Sequence, residues 1–210
     1  MKDVSEANNK EKLLIAAREE FAANGYKAAS VNRIIAETGL SKGTFYHYFA
    51  DKRALYGELI EAYGEKKRAA YARTEGVSAA PREGESIFEW MKAQSAVTLQ
   101  FAQDAPEWFA FGKRAAAETH ETAAAALGAS AESSQSFVEA WIEMGAAHGD
   151  FSARYDQAFI SPLLAYMMQH FYCMLRLGQP GLWAEDIKHR LDMFFDFLKN
   201  GLGNKEERDG

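Results

Sequence analysis

Apolar residues fall on a helical period from the start of the chain. Leu14, Ala17 and Phe21 recur at i, i+3 and i+7, one face of a helix that can begin near Asn8 or Asn9. Asn24-Gly25 predicts its end, because glycine takes the left-handed conformation that closes a helix and Tyr26 supplies the apolar residue after the stop. Ser30 is a good N-cap for a second helix that buries Val31, Ile34 and Ile35. Gly39 stops that helix early, with Leu40 as the next apolar contact. Ser41 caps a third helix carrying Phe45, Tyr48 and Phe49 at i, i+3 and i+4. Asp51 caps a fourth, with Leu55, Leu59 and Tyr63 in one stripe, which runs on in mixed charge to Gly76.

Residues 77–84, with Pro81 and Gly84, form the clearest break. Five more helices are predicted beyond it, over 85–104, 107–124, 131–147, 156–177 and 184–201. Pro106, Gly128, Gly149-Asp150 and residues 178–181 separate them, and Pro162 falls in the first turns of the fourth, where proline is tolerated. No period-two alternation and no repeat interrupts this pattern, so the fold class is all-α. The expected division is a helical head over 1–53, a helical body over 54–203 and a frayed polar tail over 204–210.

The second and third helices, joined by a glycine-bearing turn, have the spacing of a helix-turn-helix. The second helix of such a unit enters the DNA major groove with its N-terminal residues toward base edges. Here it spans 41–48 and begins Ser41-Lys42-Gly43-Thr44, small and polar where a backbone must approach closely. Tyr46 and His47 lie on the face away from Phe45 and Phe49, where phosphate and base contacts suit them better than a core. Short helical hairpins with a glycine turn also occur in proteins that never touch DNA, so periodicity alone leaves both readings open.

Composition changes this picture little. Hydrophobic residues are 48% and charged residues 26%, as in ordinary globular chains. No stretch reaches the ~20 apolar residues of a membrane span, and the first nine residues lack a signal-peptide core, which predicts a cytoplasmic protein. The lone Cys173 lies in an apolar run and reads as a buried thiol. The net charge is −6, yet residues 1–53 carry nine Lys/Arg against seven Asp/Glu, while the rest is acidic. A slightly basic head on an acidic body suits phosphate contact by the head alone.

The string Gly39-Leu-Ser-Lys-Gly-Thr-Phe-Tyr-His-Tyr-Phe-Ala-Asp-Lys52 resembles the TetR family of bacterial transcriptional regulators. Phe21-Ala-Ala-Asn-Gly25-Tyr26, Ser30, Ala36-Glu-Thr-Gly39-Leu40 and Asp51-Lys52-Arg-Ala-Leu55 extend the likeness across residues 10–60 without a gap. The resemblance implies phosphate contacts from Ser30, Arg33 and Lys52. It implies base-facing Lys42, Gly43 and Thr44, backbone or base-edge contacts from Tyr46 and His47, and a recognition helix bounded by Ser41 and Tyr48. Phe21, Ile34, Ile35, Phe45 and Phe49 would be core. One departure is that residues 1–9 hold only Lys2 against Asp3 and Glu6, so no basic arm is expected.

The last two helices are apolar around much of their circumference, through Phe159, Leu163, Leu164, Met167, Met168, Phe171, Tyr172, Met174 and Leu175, then Ile187, Leu191, Phe194, Phe195 and Leu198. A core or a second subunit would bury them. The resemblance implies a homodimer through both helices, which would present two recognition helices to a palindromic operator of double-stranded DNA. The expected interface residues are Leu164, Met167, Phe171, Leu175, Leu191, Phe194, Phe195 and Leu198. Lys66-Lys67-Arg68 reads as a solvated helix face.

Aromatic residues concentrate between 88 and 141. Trp90, Phe101, Trp108, Phe111, Phe137 and Trp141, joined by Met168 and Phe171, are candidates for a small-molecule effector site, with plain core packing as the alternative. Lys113 and Arg114 suit an anionic effector and Glu139 and Glu143 a cationic one; the sequence does not choose. The five histidines lack metal-ligand spacing, and no nucleophile, phosphate-loop or dinucleotide motif appears. No enzyme, metal or cofactor is expected. The reading is a ligand-responsive regulator, a repressor by default for this resemblance. The alternative is a helical binding or scaffold protein without sequence-specific DNA recognition.

Overall fold

The computed structural model describes residues 2–78, 80–118, 134–175 and 184–203, with the side chains of 2–7, 134–139, 168–169, 171–174 and 184 left out. Among the described residues the chain forms α1 (Lys2–Ala28), α2 (Val31–Thr38), α3 (Lys42–Tyr48), α4 (Lys52–Arg73), α5 (Ile87–Asp104), α6 (Pro106–Ala116), α7 (Ser134–Ala147), α8 (Gln157–Met174) and α9 (Ala184–Leu202). Their only extended pairing is a single antiparallel bridge between Phe151 and Gly203. The predicted tail lies outside the described residues, as does the predicted helix beyond residue 118. No described helix is long and apolar enough to cross a membrane.

The caps read from the sequence are in place. Ser30 Oγ accepts from Arg33 N, Ser41 Oγ from Thr44 N at 3.0 Å, and Asp51 Oδ1 from Ala54 N at 2.8 Å, each satisfying an amide that its helix leaves unpaired. Gly39 ends α2 at φ 66°. Gly25 breaks α1 at φ 72°, ψ 171°, after which one further turn leads to Ala28. The first helix starts earlier than predicted, and the fourth ends at Arg73, three residues short of Gly76.

Two compact units follow from the packing, residues 1–73 with 100–133 and residues 74–99 with 134–210. The core of the first contains Leu13, Ala17, Phe21, Ile34, Ile35, Phe45, Phe49, Leu55, Tyr56, Leu59 and Phe111. Of the neighbouring leucines on α1, Leu13 is fully buried and Leu14 is partly buried against the same core. Phe111 brings α6 into this core, where it meets the Tyr56 and Tyr63 rings at centroid separations of 5.7 and 6.2 Å. The first unit thus contains α4 and α6 together with the helix-turn-helix.

The second unit buries Ile87, Phe88, Trp90, Met91, Ile142, Ile160 and Leu164 with Leu191, Phe194, Phe195 and Leu198. Trp90 Nε1 and Gln94 Nε2 both donate to Ser78 O, at 3.0 and 2.8 Å, and hold the preceding loop. Lys92–Asp192 and Lys199–Glu89 ion pairs at 2.7 and 3.1 Å tie α5 to α9.

This core takes up several residues of the expected dimer face. Leu164, Leu191, Phe194, Phe195 and Leu198 are each at most 6% exposed within one chain, and Met167 and Leu175 pack beside them. Among the described side chains of these two helices, Phe159, Leu163 and Tyr166 on α8, at i, i+4 and i+7, and Met193 and Phe197 on α9, at i and i+4, are large apolar residues left in solvent. The side chain of Phe171 lies outside those described.

Candidate nucleic-acid interface

Helix α3 is anchored from below and bare above. Phe45 and Phe49 are buried, which fixes the helix's rotation, while Ser41, Lys42, Gly43, Tyr46 and His47 are exposed and Thr44 is half-exposed. Tyr46 keeps 60% of its surface in solvent, with its ring edge-on to Phe45 at 5.2 Å. Thr44 Oγ1 and Ser41 Oγ share a hydrogen bond at 2.9 Å, so the first turn presents a small, ordered polar surface. A methyl group at Gly43 would meet nothing closer than Ser41 Oγ at 3.6 Å, so no internal contact demands glycine there. Lys42 pairs with no carboxylate among the described residues. Tyr48 is half-buried against the core, with its ring edge-on to that of His47, so it supports the helix more than it presents a surface.

Both cations expected at phosphates have partners within the chain. Arg33 donates through Nε and Nη2 to Glu20 Oε1 and through Nη2 to Ala28 O at 2.8 Å. Glu20 also accepts from Ser30 N at 2.9 Å, so one carboxylate on α1 holds the start of α2. The Arg33 hydrogen bond holds the Glu20 carboxyl below its ordinary range, and Glu20 in turn raises the guanidinium. Lys52 Nζ donates to the carbonyls of Tyr26, Lys27 and Ala29 at 2.8, 3.3 and 3.0 Å and lies 4.8 Å from the centre of the Tyr26 ring. All three ammonium protons have acceptors, and desolvation lowers its pKa. Lys52 therefore clamps the α1–α2 turn to the start of α4. Sequence spacing gave no signal for either pairing, since the partners lie 13 to 26 residues away.

The expected effector residues are divided between the two units. Phe101, Trp108 and Phe111 belong to the first unit, Trp90 and Trp141 to the second, and the side chains of Phe137, Met168 and Phe171 lie outside those described. Trp90 and Trp141 pack edge-on at 5.0 Å, and the Trp90 ring nitrogen is spent on Ser78. Trp108 carries Arg18 at 4.9 Å and Lys66 at 5.4 Å from its ring, pinning α6 against α1 and α4. Tyr63, between Phe101 and Phe111, has its pKa pushed up to about 12 by burial. Lys67 departs from the solvated face expected of its run, because it is half-buried and desolvation lowers its pKa. Of the charged candidates, Arg114 is bound to Asn24 O, and Glu143 is exposed. No group of metal-binding side chains occurs among the described residues.

Residues 13–59 match the family model for bacterial regulatory proteins of the tetR family. The HTH-type transcriptional repressor AcnR of Corynebacterium glutamicum is 31% identical over 101 residues, which cover 46% of this chain and 53% of that protein. The HTH-type transcriptional regulator UidR of Escherichia coli K12 is 34% identical over 104 residues, 50% of this chain and 45% of that one. The chain thus spans about half the length of the curated relatives it matches. Across 95% of both chains, the fold is that of a TetR family transcriptional regulator from Chloroflexus aurantiacus, at 23% identity and a TM-score of 0.72. A gamma-butyrolactone receptor is similar at 15% identity, with 98% of this chain and 92% of that one covered and a TM-score of 0.60.

Proposed function

We propose that this chain, whose residues 13–59 match the tetR family model, is a TetR-family transcriptional repressor that binds operator DNA as a homodimer and is released by a small-molecule effector. The observation that carries this reading is α3, whose Lys42, Gly43, Tyr46 and His47 stand in solvent on a helix fixed by buried Phe45 and Phe49. Lys42 supplies charge for phosphate or a guanine edge, and Tyr46 and His47 supply donors at the same surface. Nothing inside the protein requires glycine at position 43, which suits close approach by a DNA backbone. Ser30, Ser41 and Thr44 flank this surface as further donors. Lys42 takes the leading share of phosphate contact in this reading, because Arg33, though 56% exposed, is bound to Glu20 and Lys52 to three carbonyls.

The dimer reading rests on Phe159, Leu163, Tyr166, Met193 and Phe197, large apolar side chains exposed on the faces of α8 and α9 opposite the core. An isologous pairing of these faces would carry two recognition helices, which calls for a palindrome with half-sites one or more helical turns apart. A regulator of this kind acts by binding rather than catalysis, in the cytoplasm and on the nucleoid. Its effector would have to favour one arrangement of the heads over another, since equal affinity shifts no equilibrium.

A non-DNA-binding helical scaffold is the second reading, favoured by the internal use of Arg33 and Lys52. Selection from random duplex DNA separates the two. A regulator enriches a short inverted repeat, and its affinity falls with salt as phosphate contacts release counterions. A scaffold enriches no sequence.

A further inference from the structure

The turn between α1 and α2 is held from both sides. Lys52 on α4 takes the Tyr26 carbonyl, and Glu118, two residues beyond α6, takes the Tyr26 amide at 2.9 Å. Arg114, one turn earlier on α6, donates to Asn24 O at 3.3 Å and lies 3.9 Å from the Glu118 carboxylate. The Glu118 side chain is only 12% exposed. Gly25 makes this approach possible. Its φ of +72° suits glycine, and a Cβ there would collide with Glu118 Oε1 and lie 2.7 Å from Arg114 Nη2. The same turn runs into Ser30, whose amide Glu20 holds at the start of α2.

We infer that Glu118 and Arg114 are positioning residues that latch the end of α6 onto the Gly25–Tyr26 turn and thereby set the pose of the helix-turn-helix for DNA. This rests on the operator-binding reading above and adds a route of regulation to it. Two side-chain hydrogen bonds thus join the end of α6 and its following turn to the backbone of the α1–α2 junction. Any event that draws the end of α6 away removes the Tyr26 amide's acceptor and frees one side of the junction, while Lys52 still holds the other. Coupling of this kind is reciprocal, so DNA that needs the latched pose must also stabilise the latch.

Amide exchange and operator binding on the full chain test this together, with wild type, Glu118→Ala, Glu118→Gln and Arg114→Met, on DNA recovered by selection. Glu118→Ala is expected to speed exchange of the Tyr26 amide at least about tenfold and weaken operator binding by about tenfold, the scale of losing one hydrogen bond to a charged group. Exchange at Phe45 and Phe49 should stay as in wild type, and so should the salt slope, since no phosphate contact is lost. Glu118→Gln keeps an acceptor oxygen and should recover most of both losses. Operator DNA should slow Tyr26 exchange in wild type and far less in Glu118→Ala. Arg114→Met, which leaves Glu118 in place, should give a smaller loss in the same direction and serves if the alanine variant does not fold.

Wild-type affinity in Glu118→Ala or Arg114→Met overturns the proposal, and so does Tyr26 exchange that ignores DNA. Faster exchange throughout α2 and α3 also overturns it, because Glu118 would then be general structural support. A wild type that selects no DNA sequence would instead remove the regulator reading, and the latch would fall with it.

Discussion

Replacing Lys52 by methionine separates a clamp from a phosphate contact. The side chain has three carbonyl acceptors, two of them at 2.8 and 3.0 Å, and its ammonium lies 4.8 Å from the Tyr26 ring centre. Hydrogen bonds from charged groups contribute about 1.5–3 kcal/mol each when desolvated. Lys52 is only half-buried, so about 1 kcal/mol for each short bond is the fitting figure, with ~0.5 kcal/mol for the ring. Methionine keeps most of the stem's packing and removes the charge. The expected loss is therefore about 2.5 kcal/mol for the first unit, followed by urea unfolding, or a midpoint lower by about 10 °C on heating. Below that transition, Lys52→Met should bind selected DNA with an unchanged salt slope. A variant as stable as wild type, with a slope reduced by about one phosphate, would show that the ammonium contacts DNA and refute the clamp.

Three further outcomes follow from the same structure. Because Arg33 lowers the Glu20 carboxyl's pKa in the folded state, the pair's stabilisation is full above the ordinary carboxylate range and is lost as pH falls through the folded value; Glu20→Gln should flatten that acid limb of a stability–pH profile, and an unchanged limb would discount the pair. Gly112→Ala places a methyl group on the Tyr63 ring and should cost about 2 kcal/mol by denaturant titration, while a neutral result would mean that α6 can shift away from α4 without loss. Phe197→Glu puts a charge on a side chain 66% exposed; sedimentation should find a monomer with wild-type helix content, and a persistent dimer would place the interface elsewhere.

Much of the head was legible because its signals are local. Ser30, Ser41 and Asp51 each cap an amide three residues on, and Gly25 and Gly39 stop helices where they stand, so short windows locate α2 and α3. Distant pairings were not. Arg33 reads as a free surface cation until Glu20, thirteen residues earlier, is placed beside it, and Glu118 meets Tyr26 across 92 residues. The body shows the limit of periodicity in another way. Helices α8 and α9 are apolar on several faces, and a pattern of that kind cannot say which face turns inward. Packing decides it by burying Leu164, Leu191 and Phe195 while Phe159, Tyr166 and Phe197 stay in solvent. The aromatic residues between 88 and 141 divide for a related reason, since helices adjacent in sequence contribute to different cores.

The central claim is that α3 reads DNA through its exposed face, and a photo-cross-linking side chain at position 46 tests it most directly. Tyr46 is 60% exposed, so a benzophenone there should leave the fold intact. On DNA recovered by selection, adducts should map to bases or adjacent sugars within each half-site, about 10 base pairs or a multiple apart. They should vanish when Lys42→Ala abolishes binding. Absence of an adduct, or the same yield from a benzophenone at position 197, would contradict the account.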